Sequence, residues 1–292
     1  MTVSTLVQQT ENIETNQSSW EWPGRSPMSR RAAWLCPGSR SGGYGIAMRA
    51  LGIDIGGTGI KAAPVDVVAG TLLAERKRIE TPRPAEPEAV ADVVRQLTSE
   101  FGWTGPIGVT FPGVVAGGET RTAANLDPAW IGMNARDLLS NAAGQPVEVL
   151  NDADAAGIAE MVFGAGKGIT GTVLVLTFGT GVGSALFTDG KLVANTEFGH
   201  VHLRGHDAER RVSEQARELH DLSWGKWAGR VQEYLQHMEA LLSPELIIIG
   251  GGISKKADKF VPLIEGVRAQ IVPAAMRNDA GIVGAAMAAT PA

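Results

Sequence analysis

Two short segments constrain this chain more than any other feature. Asp54-Ile55-Gly56-Gly57-Thr58-Gly59-Ile60-Lys61 and Leu176-Thr177-Phe178-Gly179-Thr180-Gly181-Val182-Gly183 each place a glycine turn directly after an apolar run and directly before another strand-like run. A P-loop needs GxxxxGK[ST] opening a helix, and a dinucleotide fingerprint also leads into a helix. Neither turn meets that condition. What remains is a strand–turn–strand unit used twice, and therefore a fold with two related halves. Glycine occurs 37 times in 292 residues, against a typical share of about 7%. The excess has no fixed period, so it signals tight turns and close backbone approaches.

The pattern around the two turns supports an α/β duplication. In the first half, strands are expected at 50–55, 59–66, 72–80, 107–111 and 147–150. Apolar spacing through Val90, Val93, Val94 and Leu97 predicts a helix over 88–101, and further helices are expected near 134–143 and 152–163. In the second half, strands are expected at 171–177, 184–188, 192–195 and 246–249, with helices over 207–220 and 226–242. A helix after Gly250-Gly251-Gly252, a short strand around Ile271 and an Ala-rich helix from Asp279 complete the chain. We expect one domain over 48–155, joined by a final helix within 274–292 that packs back on it. A second domain is expected over 156–273, with a cleft between the two. Residues 1–47 are rich in Ser, Gln, Thr, Gly and Pro without periodicity. They read as a disordered tail, or as a segment ahead of a translation start at Met48.

Composition excludes several classes. Lysine plus arginine number 26 and aspartate plus glutamate 31, a net charge of −5, which argues against a nucleic-acid partner. No apolar run reaches the roughly 18 residues of a membrane span. The Arg30-Arg31 pair lacks a following apolar stretch, so no export signal is expected there. Cys36 is the only cysteine, which rules out an intramolecular disulfide and a thiolate zinc site and fits the cytosol.

The glycine turns have the chemistry of a phosphate grip. Backbone N–H groups of Gly56, Gly57, Gly59, Gly179 and Gly181 can approach phosphate oxygens, and Thr58, Thr177 and Thr180 add hydroxyls. Asp54 is the candidate for Mg²⁺, directly or through water, and Lys61 adds positive charge. Gly251 and Gly252 form a third turn that suits the nucleoside side of a nucleotide. Asp152 follows an expected strand and opens an expected helix, so its carboxylate sits at a cleft mouth, where it can serve as general base. An N-cap is the plainer role for Asp152. Asp154, two residues on, reads as a charge complementing the helix N-terminus.

Together with Asn151-Asp152-Ala153 and Glu197-Phe198-Gly199-His200, the three glycine segments resemble the ROK sugar kinases within the actin-like ATPase superfamily. Val109–Val115, Arg121–Asn125, Asn151–Gly157 and Asn278–Ala286 resemble the branch of that family that uses inorganic polyphosphate, and the likeness runs over residues 50–289. It implies two ribonuclease H-like domains with the active site in the cleft. It implies transfer of a phosphoryl group to the 6-hydroxyl of glucose, with Asp152 as base, Mg²⁺ as cofactor, and polyphosphate and ATP as donors. It implies a homodimer, and sugar contacts from Asn125, Asn151, Asp152, Glu197 and His200. A sixth sugar group is a glutamate after the His segment; Glu214 is the preferred position, with Glu209 and Glu218 nearby. Many ROK proteins hold a structural zinc here with three cysteines. This chain has none there, so no zinc is expected even though His200, His202 and His206 mimic ligand spacing. For polyphosphate, a cationic track is expected from Arg121, Lys255 and Lys256.

Overall fold

The computed structural model describes residues 48–123 and 126–290. The expected tail and Asn125 lie outside the described residues.

The first sheet begins with β1 (Arg49–Ile55) and β2 (Ile60–Asp66), antiparallel about the first glycine turn, so that Ile55 faces Ile60. Two short strands, β3 (Thr71–Leu72) and β4 (Lys77–Ile79), both pair with β2. The sequence suggested one strand over 72–80. The break lies opposite Pro64, which accepts from the Leu73 N–H but has no N–H to return. Helix α1 (Pro87–Glu100) then leads to β5 (Ile107–Phe111), parallel to β1. A small hairpin of β6 (Val115–Ala116) and β7 (Glu119–Thr120) precedes α2 (Ala135–Ala143) and β8 (Val147–Asn151). The sheet order is β3-β2-β1-β5-β8. Helix α3 (Asp152–Val162) leaves from the end of β8.

The second sheet repeats this plan. β9 (Thr172–Phe178) and β10 (Val182–Thr188) are antiparallel about the second glycine turn, and β11 (Lys191–Val193) follows on the edge. A short hairpin, β12 (His202–Leu203) with β13 (His206–Asp207), precedes α4 (Glu209–Val212), α5 (Glu214–Leu219) and the long α6 (Trp224–Leu242). β14 (Leu246–Gly250) and β15 (Gln270–Pro273) add parallel strands, giving the order β11-β10-β9-β14-β15. The expected single helix over 207–220 is split. Ser213 adopts an extended conformation and its hydroxyl accepts from the Ala216 N–H, so it caps α5 instead of continuing α4. The helix expected after the third glycine turn is a 3₁₀ segment, Gly252–Lys259, irregular at Lys256.

Helix α7 (Ala280–Ala288) is buried on almost every side and packs on β1, β5 and α3. The contact is made at backbone range. A Cβ on Gly108 would lie 1.7 Å from the Ala285 carbonyl oxygen, and one on Gly52 would lie 2.0 Å from that of Ile282. On the opposite face, a Cβ on Gly284 would lie 1.7 Å from the Ala155 oxygen. These glycines have no side chain because the helix backbone occupies that space. Glu160 of α3 fastens the chain ahead of α7. It is 1% exposed, and its carboxylate accepts from the N–H groups of Ala165, Ala275 and Met276.

The first sheet packs Leu51, Ile53, Val94, Phe111 and Trp130 into one core, and the second packs Leu176, Trp227, Tyr234, Ile249 and Phe260 into another. Truncating one of these aromatics to alanine costs about 3–5 kcal/mol. Both cores hold the strand ends that carry the glycine turns. No helix among the described residues is long and apolar enough to cross a membrane.

Candidate active site

The carboxylate of Asp54, near the end of β1, is held by two neighbours. Oδ1 accepts from the Thr110 hydroxyl at 2.9 Å, and Oδ2 lies 3.3 Å from the Lys61 Nζ across the turn. The turn closes through a Gly56 N–H to Gly59 carbonyl bond of 3.2 Å. The Thr81 hydroxyl donates to the Gly56 carbonyl, and Arg78 donates to the Thr58 carbonyl at 2.6 Å. With these carbonyls engaged, exposed Gly57 and Thr58 stand at the tip of the turn.

The second turn is braced in the same way. The Gly179 N–H donates to the Gly181 carbonyl at 3.0 Å, and the Gln215 N–H donates to the Gly179 carbonyl at 3.1 Å. Thr180 is exposed at the tip, while Thr177 is partly buried beneath it. The third turn packs onto the second. Gly251 has φ +78°, and a Cβ there would lie 2.5 Å from the Phe178 carbonyl oxygen, so only glycine fits. Gly252 is exposed next to it. An open cavity of about 600 Å³ touches both phosphate-type turns, with Gly57, Thr58, Arg83, Leu126, Asp127 and Thr180 in its wall.

Asn151 is the N-cap of α3. Its Oδ1 accepts from the Ala153 and Asp154 N–H groups, and its Nδ2 donates to the Gly113 carbonyl at 3.1 Å. The cap role considered for Asp152 therefore belongs to the residue before it, and Asp152 is left as the first helical residue. Asn151 is 6% exposed; of its two amide hydrogens, one is left for a ligand.

Asp152 is partly buried, and its pKa is pushed up to about 7. Desolvation is the main cause, followed by the charge of Asp54; Glu197 and Asp154 add smaller contributions, opposed by the Ala153 N–H bond. Its charge environment thus brings together groups from β1, α3 and the loop after β11. Asp154, expected as a charge at the helix N-terminus, lies in the first turn of α3; it is 2% exposed, accepts from the Asn195 N–H at 2.8 Å, and is pushed up to about 7 by burial.

Glu197 precedes a 3₁₀ turn, Phe198–His200, and burial raises its pKa. His200 Nε2 lies 4.0 Å from Glu197, while its Nδ1 lies 3.2 Å from Asp207 and 4.0 Å from Glu209. The second glutamate neighbour of His200 is therefore not Glu214. Glu214 lies at the third turn, its carboxylate 3.2 Å from the Lys256 Nζ and within 3.5 Å of a Cβ built on Gly252. Glu209 accepts from the Val182 N–H at 3.3 Å and adds to the raised pKa of Glu197. The break at Ser213 turns α5 towards the glycine turns and leaves α4 facing His200, so Glu209, the alternative to the preferred Glu214, is the glutamate beside His200. The sequence signal was present in Ser213, a cap residue inside an otherwise helical pattern. His200, Asp207 and Glu209 also present ligand atoms within 4.8 Å of one another, a different trio from His200, His202 and His206.

The proposed cationic track is only partly free. Arg121 pairs with Glu119 at 2.8 Å and Lys256 with Glu214, while Lys255 is exposed.

A ROK family model matches residues 50–216. The chain belongs to the ROK family. Among ROK proteins it is 53% identical over 238 residues to the polyphosphate glucokinase of Mycobacterium tuberculosis (strain CDC 1551 / Oshkosh), a match covering 81% of this chain and 89% of the relative. The crystal structure of inorganic polyphosphate/ATP-glucomannokinase from Arthrobacter sp. strain KM is 52% identical, covers 82% of this chain and 97% of its own, and superposes with a TM-score of 0.79. A ROK family glucokinase from Streptomyces griseus in complex with glucose and AMPPNP is 26% identical, with a TM-score of 0.71 over 82% of this chain and 99% of its own. The two sheets built on glycine hairpins are thus the actin-like ATPase fold of ROK sugar kinases.

Proposed function

We propose that this ROK protein transfers a phosphoryl group from inorganic polyphosphate to the 6-hydroxyl of glucose, and that ATP serves as a second donor. The observation that carries this reading is Asp152. Its carboxylate lies where the charges of Asp54 and Glu197 meet, with a pKa of about 7. A base of that strength suits a hydroxyl nucleophile near neutrality. The names of the M. tuberculosis and Arthrobacter relatives supply the donor and the sugar.

In this reading Asp152 takes the proton of the 6-hydroxyl as it attacks the terminal phosphorus. The turns meet the phosphate oxygens through their exposed tips at Gly57, Thr58 and Thr180, since the Gly56 and Gly179 N–H groups already close the turns. Asn151, Glu197, His200 and Glu209 contact the sugar, together with Asn125. Asp54 is the fitting residue for Mg²⁺: both its oxygens already have partners, which suits a hold through water. When bound, Mg²⁺ neutralises phosphate charge. Residues 48–155 with 274–292 act as one lobe and 156–273 as the other, closing on the sugar to exclude water. The protein acts in the cytosol as a homodimer.

The test is glucose 6-phosphate formation with Mg²⁺, comparing nucleotide-free polyphosphate with ATP at matched phosphate concentration. Faster turnover with polyphosphate supports the reading. Activity with ATP alone refutes the donor assignment. The Arthrobacter relative is called a glucomannokinase, so mannose belongs in the same assay as a second acceptor.

A further inference from the structure

The geometry points to Asn195 as a positioning residue that clasps the two sides of the sugar site through Val115. Asn195 lies just after β11 of the second sheet, two residues before Glu197. Its amide reaches β6, 80 residues away in sequence. The Val115 N–H donates to Asn195 Oδ1 at 2.9 Å, and Asn195 Nδ2 donates to the Val115 carbonyl at 2.9 Å. One side chain thus satisfies both backbone groups of one residue, as a neighbouring strand would. Only an amide of this length offers a donor and an acceptor side by side.

The rest of the residue is also committed. Its φ is +60°, a conformation that asparagine tolerates better than most residues. Its backbone N–H donates to Asp154 Oδ2, while the other oxygen of that buried carboxylate has no partner among the described residues. The same loop is fixed from its own sheet by Ser184, whose hydroxyl donates to the Thr196 carbonyl and accepts from the Phe198 N–H. On the other side, Val115 is two residues beyond Gly113, whose carbonyl accepts from Asn151. Asn195 therefore references Glu197 to the loop and helix end that carry Asn151 and Asp152. Ser184 alone fixes Glu197 only to the second sheet.

This inference rests on the sugar role of Glu197 proposed above. The test is Asn195→Gly in the full chain, which keeps the left-handed backbone and removes only the clasp. Two broken hydrogen bonds predict a rise in glucose KM of about tenfold or more, with polyphosphate KM within about twofold and Tm within a few degrees. Asn195→Asp keeps the acceptor but sets an oxygen against the Val115 carbonyl, so it raises glucose KM as well. Hydrogen–deuterium exchange gives a readout independent of catalysis: in Asn195→Gly, residues 113–116 and 195–198 exchange faster while β9 and β14 are unchanged. Unchanged glucose KM in the glycine variant overturns the inference, as does a uniform loss of kcat, both KM values and Tm. Unchanged exchange at 113–116 overturns it too. If the native protein makes no glucose 6-phosphate yet the exchange change appears, the clasp stands and the proposed function falls.

Discussion

Replacing Asp152 by asparagine removes the ionisable group but keeps an oxygen to accept the Ala153 N–H, so the packing at the start of α3 is preserved. The carboxylate is raised from 3.8 to about 7 in the folded protein. The folded state therefore holds this proton more tightly than the unfolded chain. The stability tied to that proton is fully present below about pH 4 and is lost as pH rises through about 7. At 1.36 kcal/mol per pKa unit, a wholly dry site would forfeit about 4 kcal/mol. Asp152 is only partly buried, and water recovers a share of this, so we take about 2 kcal/mol for the loss at pH 8. The uncharged amide of the variant does not suffer it. The Asp152→Asn variant should melt about 4–8 °C above the native protein at pH 8, and by about a third of that at pH 5. Scanning calorimetry across that pH range, with chelator and without sugar, reads the difference. In the same preparation, glucose phosphorylation should fall by about 10²–10⁴-fold. A variant that melts below the native protein at pH 8, or a gap that does not change with pH, would show that burial does not strain this carboxylate.

Three other tests, with five substitutions between them, discriminate single points. Glu209→Gln should raise glucose KM at least about tenfold by weakening a contact beside His200, whereas Glu214→Gln should leave glucose KM unchanged; the reverse outcome, in steady-state kinetics, would restore Glu214 to the sugar site. Gly108→Ala forces a Cβ onto the α7 backbone and should cost more than about 3 kcal/mol in urea unfolding. Gly229→Ala, on the exposed side of α6 with open space around it, should gain about 0.5–1 kcal/mol; equal effects of the two glycines would contradict the close approach of α7. Asp54→Asn should raise the Mg²⁺ concentration for half-maximal activity by at least about tenfold with little change in fold, read by titrating Mg²⁺ into the assay; an unchanged Mg²⁺ dependence would remove Asp54 from that role.

The duplication was legible without coordinates because it rests on local signals. An apolar run, a glycine turn and a returning strand have to form a hairpin wherever they occur, and Asp54–Lys61 and Leu176–Gly183 both do. The strand-to-helix junction at Asn151-Asp152 was legible in the same way, although the structure gives the cap considered for Asp152 to Asn151. Other features depended on partners distant in sequence. Whether 207–220 forms one helix or two turned on a single serine, and that choice sent Glu209 to His200 and Glu214 to Lys256. Asp154 reads locally as a charge at a helix N-terminus; its burial, and its bond from the backbone N–H of Asn195, 41 residues later, belong to the tertiary structure. The perturbed state of Asp152 likewise comes from charges on β1 and on the loop after β11. Hydrogen-bond patterns within a turn are written in consecutive residues. Burial and charge coupling are set by which elements the core draws together, and only the tertiary structure decided those.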